Sequence, residues 1–304
     1  MAAFRSSWDP LADSPSSVAP SASISAEDEP VPSDGFRATA LLDVRGLQIA
    51  GSTRTDAPVL ATGISLSVAR GEVFGLVGVP GSGTREIALA LAARLPEPAV
   101  IAAGSILVDG IELVGASRRT LNRLRDSKIS LLSPAAPTGL SPARGIGRQL
   151  ARTLRRNRGL SRTDAARHAL ELLELVGLPD PRATSLQVLA QLTPLALLQA
   201  KVAAALSGHP DILILDEPPR TLDAAGESSA LELCGGFRRE FGLSIIVVHG
   251  DLGVATATCD RVTVMEAGRV VEQGSAAEIV AAPQHPHTRS LLDTAHRPRL
   301  AGPG

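Results

Sequence analysis

The 304-residue chain has a formal net charge of −1 and a hydrophobic fraction of 44%, with aromatics at only 2% and no tyrosine. Such a balance excludes a chain that holds a polyanion by charge alone, so neither nucleic acid nor an anionic membrane surface is indicated. Cys234 and Cys259, the only two thiols, match no metal-ligand spacing and no disulfide framework, which points to a reducing compartment.

Residues 1–39 are rich in Ser, Ala, Pro and acidic side chains. Too little apolar surface is present there to offset ordering entropy, so a disordered N-terminal tail is expected. No basic segment precedes an apolar run, so it does not read as a secretory signal. A strand is expected at Leu41–Val44. Ile64–Val68 alternates like a half-buried strand, and Val73–Val77 is continuously apolar like a buried one. A helix over Thr84–Leu95 and a hairpin-like stretch over Gly104–Leu113 follow.

From about Thr120 to Gln199 the pattern is mostly helical. Ser161 with Asp164 reads as a capping box before a helix over Ala165–Val176, stopped by Gly177. Arg152, Arg155, Arg156, Arg158 and Arg162 have no interleaved aromatics and read as a solvated helix face. Leu186–Leu206 is the most apolar stretch. Gln187, Gln191, Pro194, Gln199 and Lys201 interrupt it, so it reads as a buried helix with an irregular start rather than a membrane span.

A second series begins with a buried strand at Asp211–Leu215. A helix over Ala224–Phe241, weakened by Gly235-Gly236, a strand at Leu243–Val248, and two closing strands with helices to near Asp293 complete it. Strands alternating with helices argue for an α/β fold whose parallel sheet is covered on both faces. The helical insert, about 120–200, would form a subdomain.

Directly after the strand at 73–77 comes Gly78-Val79-Pro80-Gly81-Ser82-Gly83-Thr84-Arg85, then a helix. Strand, glycine-rich turn and helix form the context of a phosphate-binding loop, in which backbone N–H groups curl around an anion at the positive helix end. The full motif ends in Lys, which reaches the terminal phosphates, and Ser/Thr, which holds magnesium. Thr84 and Arg85 stand in those two places. Gly78, Gly81, Ser82, Gly83, Thr84 and Arg85 are therefore the candidate cofactor-binding residues. By itself the loop also reads as a tight βα turn.

Ile212–Leu215 runs into Asp216-Glu217-Pro218, an apolar strand ending in two carboxylates. In phosphate-loop ATPases such an aspartate orients magnesium and the next glutamate polarises the attacking water. Asp216 is thus the candidate metal ligand and Glu217 the candidate catalytic residue. The upstream loop and the paired acids together favour a nucleotide site over solvated turn chemistry.

With these motifs the chain resembles ATP-binding-cassette (ABC) ATPases, and among them the nucleotide-binding subunits of oligopeptide and dipeptide importers, from about Leu41 to Arg299. The stretches carrying the resemblance include Ala169–Asp180, Gly268–Gly274 and Pro283-Gln284-His285-Pro286-His287-Thr288-Arg289, which is similar to the closing "NPxHPYT" segment of that branch. The resemblance implies a phosphate-loop nucleotide-binding domain of ABC type over 40–283, with a parallel-sheet core, an antiparallel β subdomain and the helical insert. Residues 284–304 would be the importer-type C-terminal extension.

Residue by residue, the resemblance implies losses. Gly51 falls where the adenine-stacking aromatic stands, and Pro134 where the magnesium-sensing glutamine stands; Thr138, Leu140 and Pro142 around it keep the family pattern. Leu192-Thr193-Pro194-Leu195-Ala196 replaces "LSGGQ", and proline has no N–H to offer the γ-phosphate. Gly250 replaces the switch histidine, with His249 one position early, and a one-residue shift on a strand turns a side chain to the opposite face. Asp223, the D-loop aspartate, is retained as a further cofactor-binding candidate. Each lost contact to a charged phosphate is worth about 1.5–3 kcal/mol.

The resemblance further implies ATP and Mg2+ as cofactors, bound weakly or not at all here, and a Glu217 that is silent. It implies two transmembrane permease subunits, a sister ATP-binding subunit forming a heterodimer, and indirectly an extracytoplasmic substrate-binding protein. The expected location is the cytoplasmic face of the membrane, held there by the permeases. A catalytically active ATPase subunit is the alternative, supported by Asp216-Glu217. A soluble cassette acting in DNA repair or translation is disfavoured, because neither a tandem cassette nor a nucleic-acid module is present.

Overall fold

The computed structural model describes residues 40–133, 140–217, 236–238 and 241–295. In chain order the first half contains β1 (Ala40–Ala50), β2 (Val59–Ala69), β3 (Val73–Val77), α1 (Thr84–Leu91), β4 (Val100–Val108), β5 (Ile111–Glu112), α2 (Arg118–Ser127) and β6 (Ile129–Leu132). There follow α3 (Ile146–Arg158), α4 (Arg162–Leu175), α5 (Pro181–Leu186), a 3₁₀ turn at Leu189–Gln191, and α6 (Pro194–Leu206). The last part is β7 (Ile212–Asp216), β8 (Ser244–His249), α7 (Leu252–Thr258), β9 (Arg261–Glu266), β10 (Arg269–Ser275), α8 (Ala276–Ala281) and α9 (Pro286–Ala295). The expected tail at 1–39 and most of the helix expected over Ala224–Phe241 lie outside the described residues.

Two sheets organise these elements. One is antiparallel, in the order β2-β1-β4-β5. The other runs β10-β9-β3-β8-β7-β6, with every neighbouring pair parallel except the β10–β9 edge. All five residues of β3 are buried, as its place between β8 and β9 requires. On β2 burial alternates through Ile64, Leu66 and Val68, so one face meets the interior and the other does not.

The same two-residue period divides the core. Phe74, Leu76, Ile212, Ile214, Ile246 and Val248 face α1 and the antiparallel sheet. Val73, Val77, Leu213, Ile245 and Val247 face the opposite way, toward α3, α4 and α6. The large sheet is therefore covered on both faces, and the ends of its parallel strands are left to carry chemistry.

Several boundaries differ from the sequence expectation, and three of them have a clear physical reason. Ile129–Leu132 lies in a stretch read as mostly helical but is strand β6. Four residues are too few to display a period, and pairing with β7, Ile129 opposite Ile212 through Leu132 opposite Leu215, decides their state. Helix α1 ends at Leu91 rather than Leu95. Ala93 adopts a left-handed φ of 53°, its N–H donates to Ala90 O, and the Arg94 N–H donates to Leu89 O. That is a Schellman close made without glycine, so no breaker residue marks it.

Helix α4 begins three residues earlier than Ala165. The Ser161 hydroxyl accepts the Asp164 N–H at 3.1 Å, which starts the helix at Arg162. Its end at Gly177 is as expected: Gly177 has φ 82°, and the Leu178 N–H donates to Leu173 O. No described helix is long and apolar enough to cross a membrane.

Candidate functional site

The site lies where β3, β7 and β8 end together. β3 runs into the loop Gly78–Gly83, which is pinned at both ends: the Gly78 N–H donates to His249 O and the Gly268 N–H donates to Ser82 O. Gly83 has φ 91°, and a β-carbon there would lie 2.6 Å from the Leu60 carbonyl oxygen. A β-carbon on Gly78 would meet the Ser82 Oγ at 2.3 Å. Both glycines are therefore required by the turn itself, which brings the backbone around to the start of α1. No side chain caps that helix, so its first N–H groups remain oriented toward an anion.

Thr84 opens α1. It is buried, at 7% relative exposure, and its Oγ1 lies 3.3 Å from the Ser82 Oγ. A short hydroxyl held inside the loop does not reach where a lysine ammonium would stand. Arg85, the next residue, turns toward the end of β7: its Nε is 3.8 Å from the Asp216 Oδ2. The same carboxylate oxygen accepts the Ser133 hydroxyl at 2.5 Å. Asp216 is almost wholly buried. Burial pushes its carboxyl above the ordinary range, while the Ser133 hydroxyl and the Arg85 charge pull the other way and Glu217 and Glu86 add to the rise.

Glu217 has φ 48°, an unusual left-handed conformation for a non-glycine residue, and its N–H donates to Val248 O at 3.1 Å. The chain thus turns sharply as β7 ends. Asp223, Pro134 and Thr138 lie outside the described residues.

β8 ends at His249, in parallel register with Val77. The His249 ring faces its own chain: Nδ1 accepts the Asp251 N–H at 2.9 Å. Asp251 in turn caps α7, its Oδ1 accepting the N–H groups of Gly253 and Val254. At Gly51 the backbone N–H donates to Pro58 O, and a β-carbon there would meet the Pro58 ring at 3.1 Å. Proline thus crowds the position where a stacking aromatic would begin.

Helix α6 starts at Pro194. Thr193 is its N-cap, the hydroxyl accepting the Ala196 N–H at 3.3 Å. The helix start survives in form, but its first residue carries no donor.

The sequence reading did not single out Ser133 or the Thr193 cap. Ser133 directly follows β6, whose parallel register places Leu132 opposite Leu215 and so Ser133 opposite Asp216. Recognising β6 as a strand was the signal that would have found it.

Magnesium wants oxygen ligands in octahedral array. Arg85 replaces the expected hydroxyl with a cation facing the remaining carboxylate. These residues do not fit the magnesium that this kind of site ordinarily holds.

A parallel sheet with a glycine loop closing one strand and a carboxylate pair closing another, beside a helical insert, defines a phosphate-loop nucleotide-binding cassette. Solved structures agree. A dimeric post-hydrolysis state of the ATP-binding cassette MJ0796 bound to ADP and Pi superposes with a TM-score of 0.67 at 21% identity, covering 77% of this chain and 98% of that one. The structure of cbiO1 from Clostridium perfringens, part of an ABC transporter complex, gives 0.67 at 24% identity over 84% and 99%. At such identities the likeness shows the fold alone.

Sequence takes the comparison further. The model of the ABC transporter family matches residues 61–220. The probable peptide ABC transporter ATP-binding protein y4tR of Sinorhizobium fredii is 33% identical over 85% of this chain and 77% of its own length. The oligopeptide transport ATP-binding protein OppD of Bacillus subtilis is 34% identical over 88% and 75%. The chain belongs to the ABC transporter family.

Proposed function

We propose that this chain is the nucleotide-binding subunit of a peptide-type ABC importer that does not itself turn over ATP, and that it pairs with a competent sister ATPase. The observation that carries the reading is Thr84: at the lysine's place stands a buried hydroxyl occupied with Ser82. Removing a phosphate-reaching ammonium costs an interaction of about 1.5–3 kcal/mol. Pro194 removes a donor from the surface that would close over the sister's nucleotide, and Gly250 leaves no side chain at the switch position. The named relatives are ATP-binding proteins of peptide transporters, which supports two permease subunits as partners and, through them, a peripheral place on the cytoplasmic membrane face.

In this reading Gly78, Gly81, Ser82 and Gly83 form the anion cradle. Thr84, Arg85 and Asp216 line it, Asp223 is a further nucleotide-binding residue that only the family resemblance implies, and Glu217 is present but silent. An active subunit remains the second reading, because Asp216 and Glu217 keep their places at the end of β7.

The test is ATP hydrolysis by the reconstituted transporter with each subunit's glutamate changed to Gln in turn. Glu217→Gln is expected to leave turnover nearly unchanged, and the sister's equivalent change to abolish it. Equal loss from both would make this chain catalytic.

A further inference from the structure

The replacement at the metal position is more than a deletion. We propose that Arg85 takes the part of magnesium in this site, so that the loop accepts the phosphates of a nucleoside di- or triphosphate without a divalent cation. The proposal rests on the reading of this chain as a nucleotide-binding subunit and deepens it.

Three placements carry it. Arg85 stands where a magnesium-holding hydroxyl would be, directly after the loop and in the first turn of α1. Its guanidinium faces Asp216, the carboxylate that would orient the metal, with Nε 3.8 Å from Oδ2. Ser133 donates its hydroxyl to that same oxygen. Asp216, nearly without solvent contact, thus already has a cation and a hydrogen-bond donor from its own chain. A metal entering here would compete with a guanidinium for one carboxylate oxygen and find no hydroxyl at position 85, the Thr84 hydroxyl one place earlier being held against Ser82.

The remaining reach of Arg85 suits a phosphate. The side chain is 48% exposed while Asp216 is 3% exposed, so the ion pair sits at the mouth of the site rather than sealed inside it. A guanidinium carries five N–H donors in a planar fork that matches phosphate geometry, and one edge turned toward Asp216 leaves others for an anion on the loop. The ligand so recognised is the metal-free polyphosphate. The magnesium-loaded nucleotide would bring a second cation against the first.

The full chain serves for the test, with ATP titrated calorimetrically in chelator and again in excess magnesium. Binding in chelator as tight as in magnesium, or tighter, is expected. Arg85→Ser, which supplies the missing hydroxyl, should weaken binding in chelator by about tenfold and make it metal-dependent. Manganese, as a paramagnetic probe, should show bound-state broadening with nucleotide on Arg85→Ser and none on the parent chain. Arg85→Gln, which keeps length but not charge, should lose the chelator binding without gaining the manganese signal.

The proposal is overturned if magnesium tightens the parent chain's affinity by about threefold or more, if no binding occurs in chelator, or if Arg85→Ser keeps the parent's metal response. Such a result leaves the absence of turnover untouched. Conversely, turnover stopped by Glu217→Gln would overturn the silent-subunit reading without bearing on the metal.

Discussion

A β-carbon on Gly250 would meet only the carbonyl oxygen of Gly78, 3.8 Å away. In the proposed reading this is the place of the switch histidine, and it is empty but undamaged: the backbone there is not left-handed, and it abuts the phosphate loop. Gly250→His should fold with a melting temperature within about 2 °C of the parent, because a substitution at a half-buried site without a clash changes stability little, here by about 0.5 kcal/mol or less. Added to Thr84→Lys with Arg85→Ser, it should tighten ATP binding by a further factor of about ten, as one hydrogen bond to a charged phosphate would. Calorimetry on the double and triple variants decides. No gain from the histidine would mean that the loop and β8 are misaligned for the γ-phosphate.

At the start of α6, form and chemistry can be separated. Thr193→Ala removes the hydroxyl that accepts the Ala196 N–H and should cost about 1 kcal/mol, with Thr193→Ser costing little. Pro194→Gly with Leu195→Gly should also destabilise the helix, by roughly 1–2 kcal/mol, since glycine disfavours helix while proline is well placed at its first position. It would restore an N–H, so ATP turnover at the sister's site should rise even as the melting temperature falls. Parallel change in both quantities would refute that separation.

His209 supplies a pH dependence. It is held at φ 53°, and its Nε2 accepts a guanidinium N–H from Arg158 at 2.8 Å, so the ring is neutral. Burial, then the nearby Arg158 charge, lowers its pKa from 6.5 to about 3. Between those values the unfolded chain binds more protons than the folded one, so stability falls as pH drops through that window. At pH 5 the loss is at most about 2 kcal/mol. His209→Asn, which tolerates the left-handed backbone, should flatten this part of the stability curve, as thermal melts from pH 7.5 to 5 would show. An unchanged slope would place the dependence elsewhere.

Glu272 ties down the C-terminal segment. Its carboxylate accepts the Gln284 N–H at 2.7 Å and the His285 N–H at 2.9 Å. Burial alone would raise its pKa, but these backbone donors and the nearby His285 outweigh it, and the net shift is downward. The stabilisation is therefore present above the ordinary carboxylate range and lost as pH falls through the folded value. Glu272→Ala should cost about 1–2 kcal/mol after allowance for solvent screening, and Glu272→Gln somewhat less. Hydrogen exchange should quicken in α9 first and leave β3 protected. Uniform quickening would mean that the segment is part of the core.

Much of the fold was legible because burial writes a period into the chain. β3 is five consecutive apolar residues with parallel neighbours, β2 alternates, and Gly177 stops α4 with a left-handed φ that glycine adopts freely. The losses that the proposed function invokes rest on residue identity in the same way: no arrangement gives Pro194 an N–H or Gly250 a ring. What local sequence cannot hold is any state decided by a distant partner. Ile129–Leu132 is a strand because β7 lies beside it, and the Ala93 close carries no breaker residue. The heading of Arg85 was open in the same way, since a long flexible side chain after the loop could point toward the phosphates or toward β7. Only the parallel pairing of β3 with β8 and of β8 with β7, which ends these strands side by side, places the carboxylate within its reach. A residue other than lysine at position 84 could be read from one place in the chain; the cation facing Asp216 required the start of α1 to meet the end of β7.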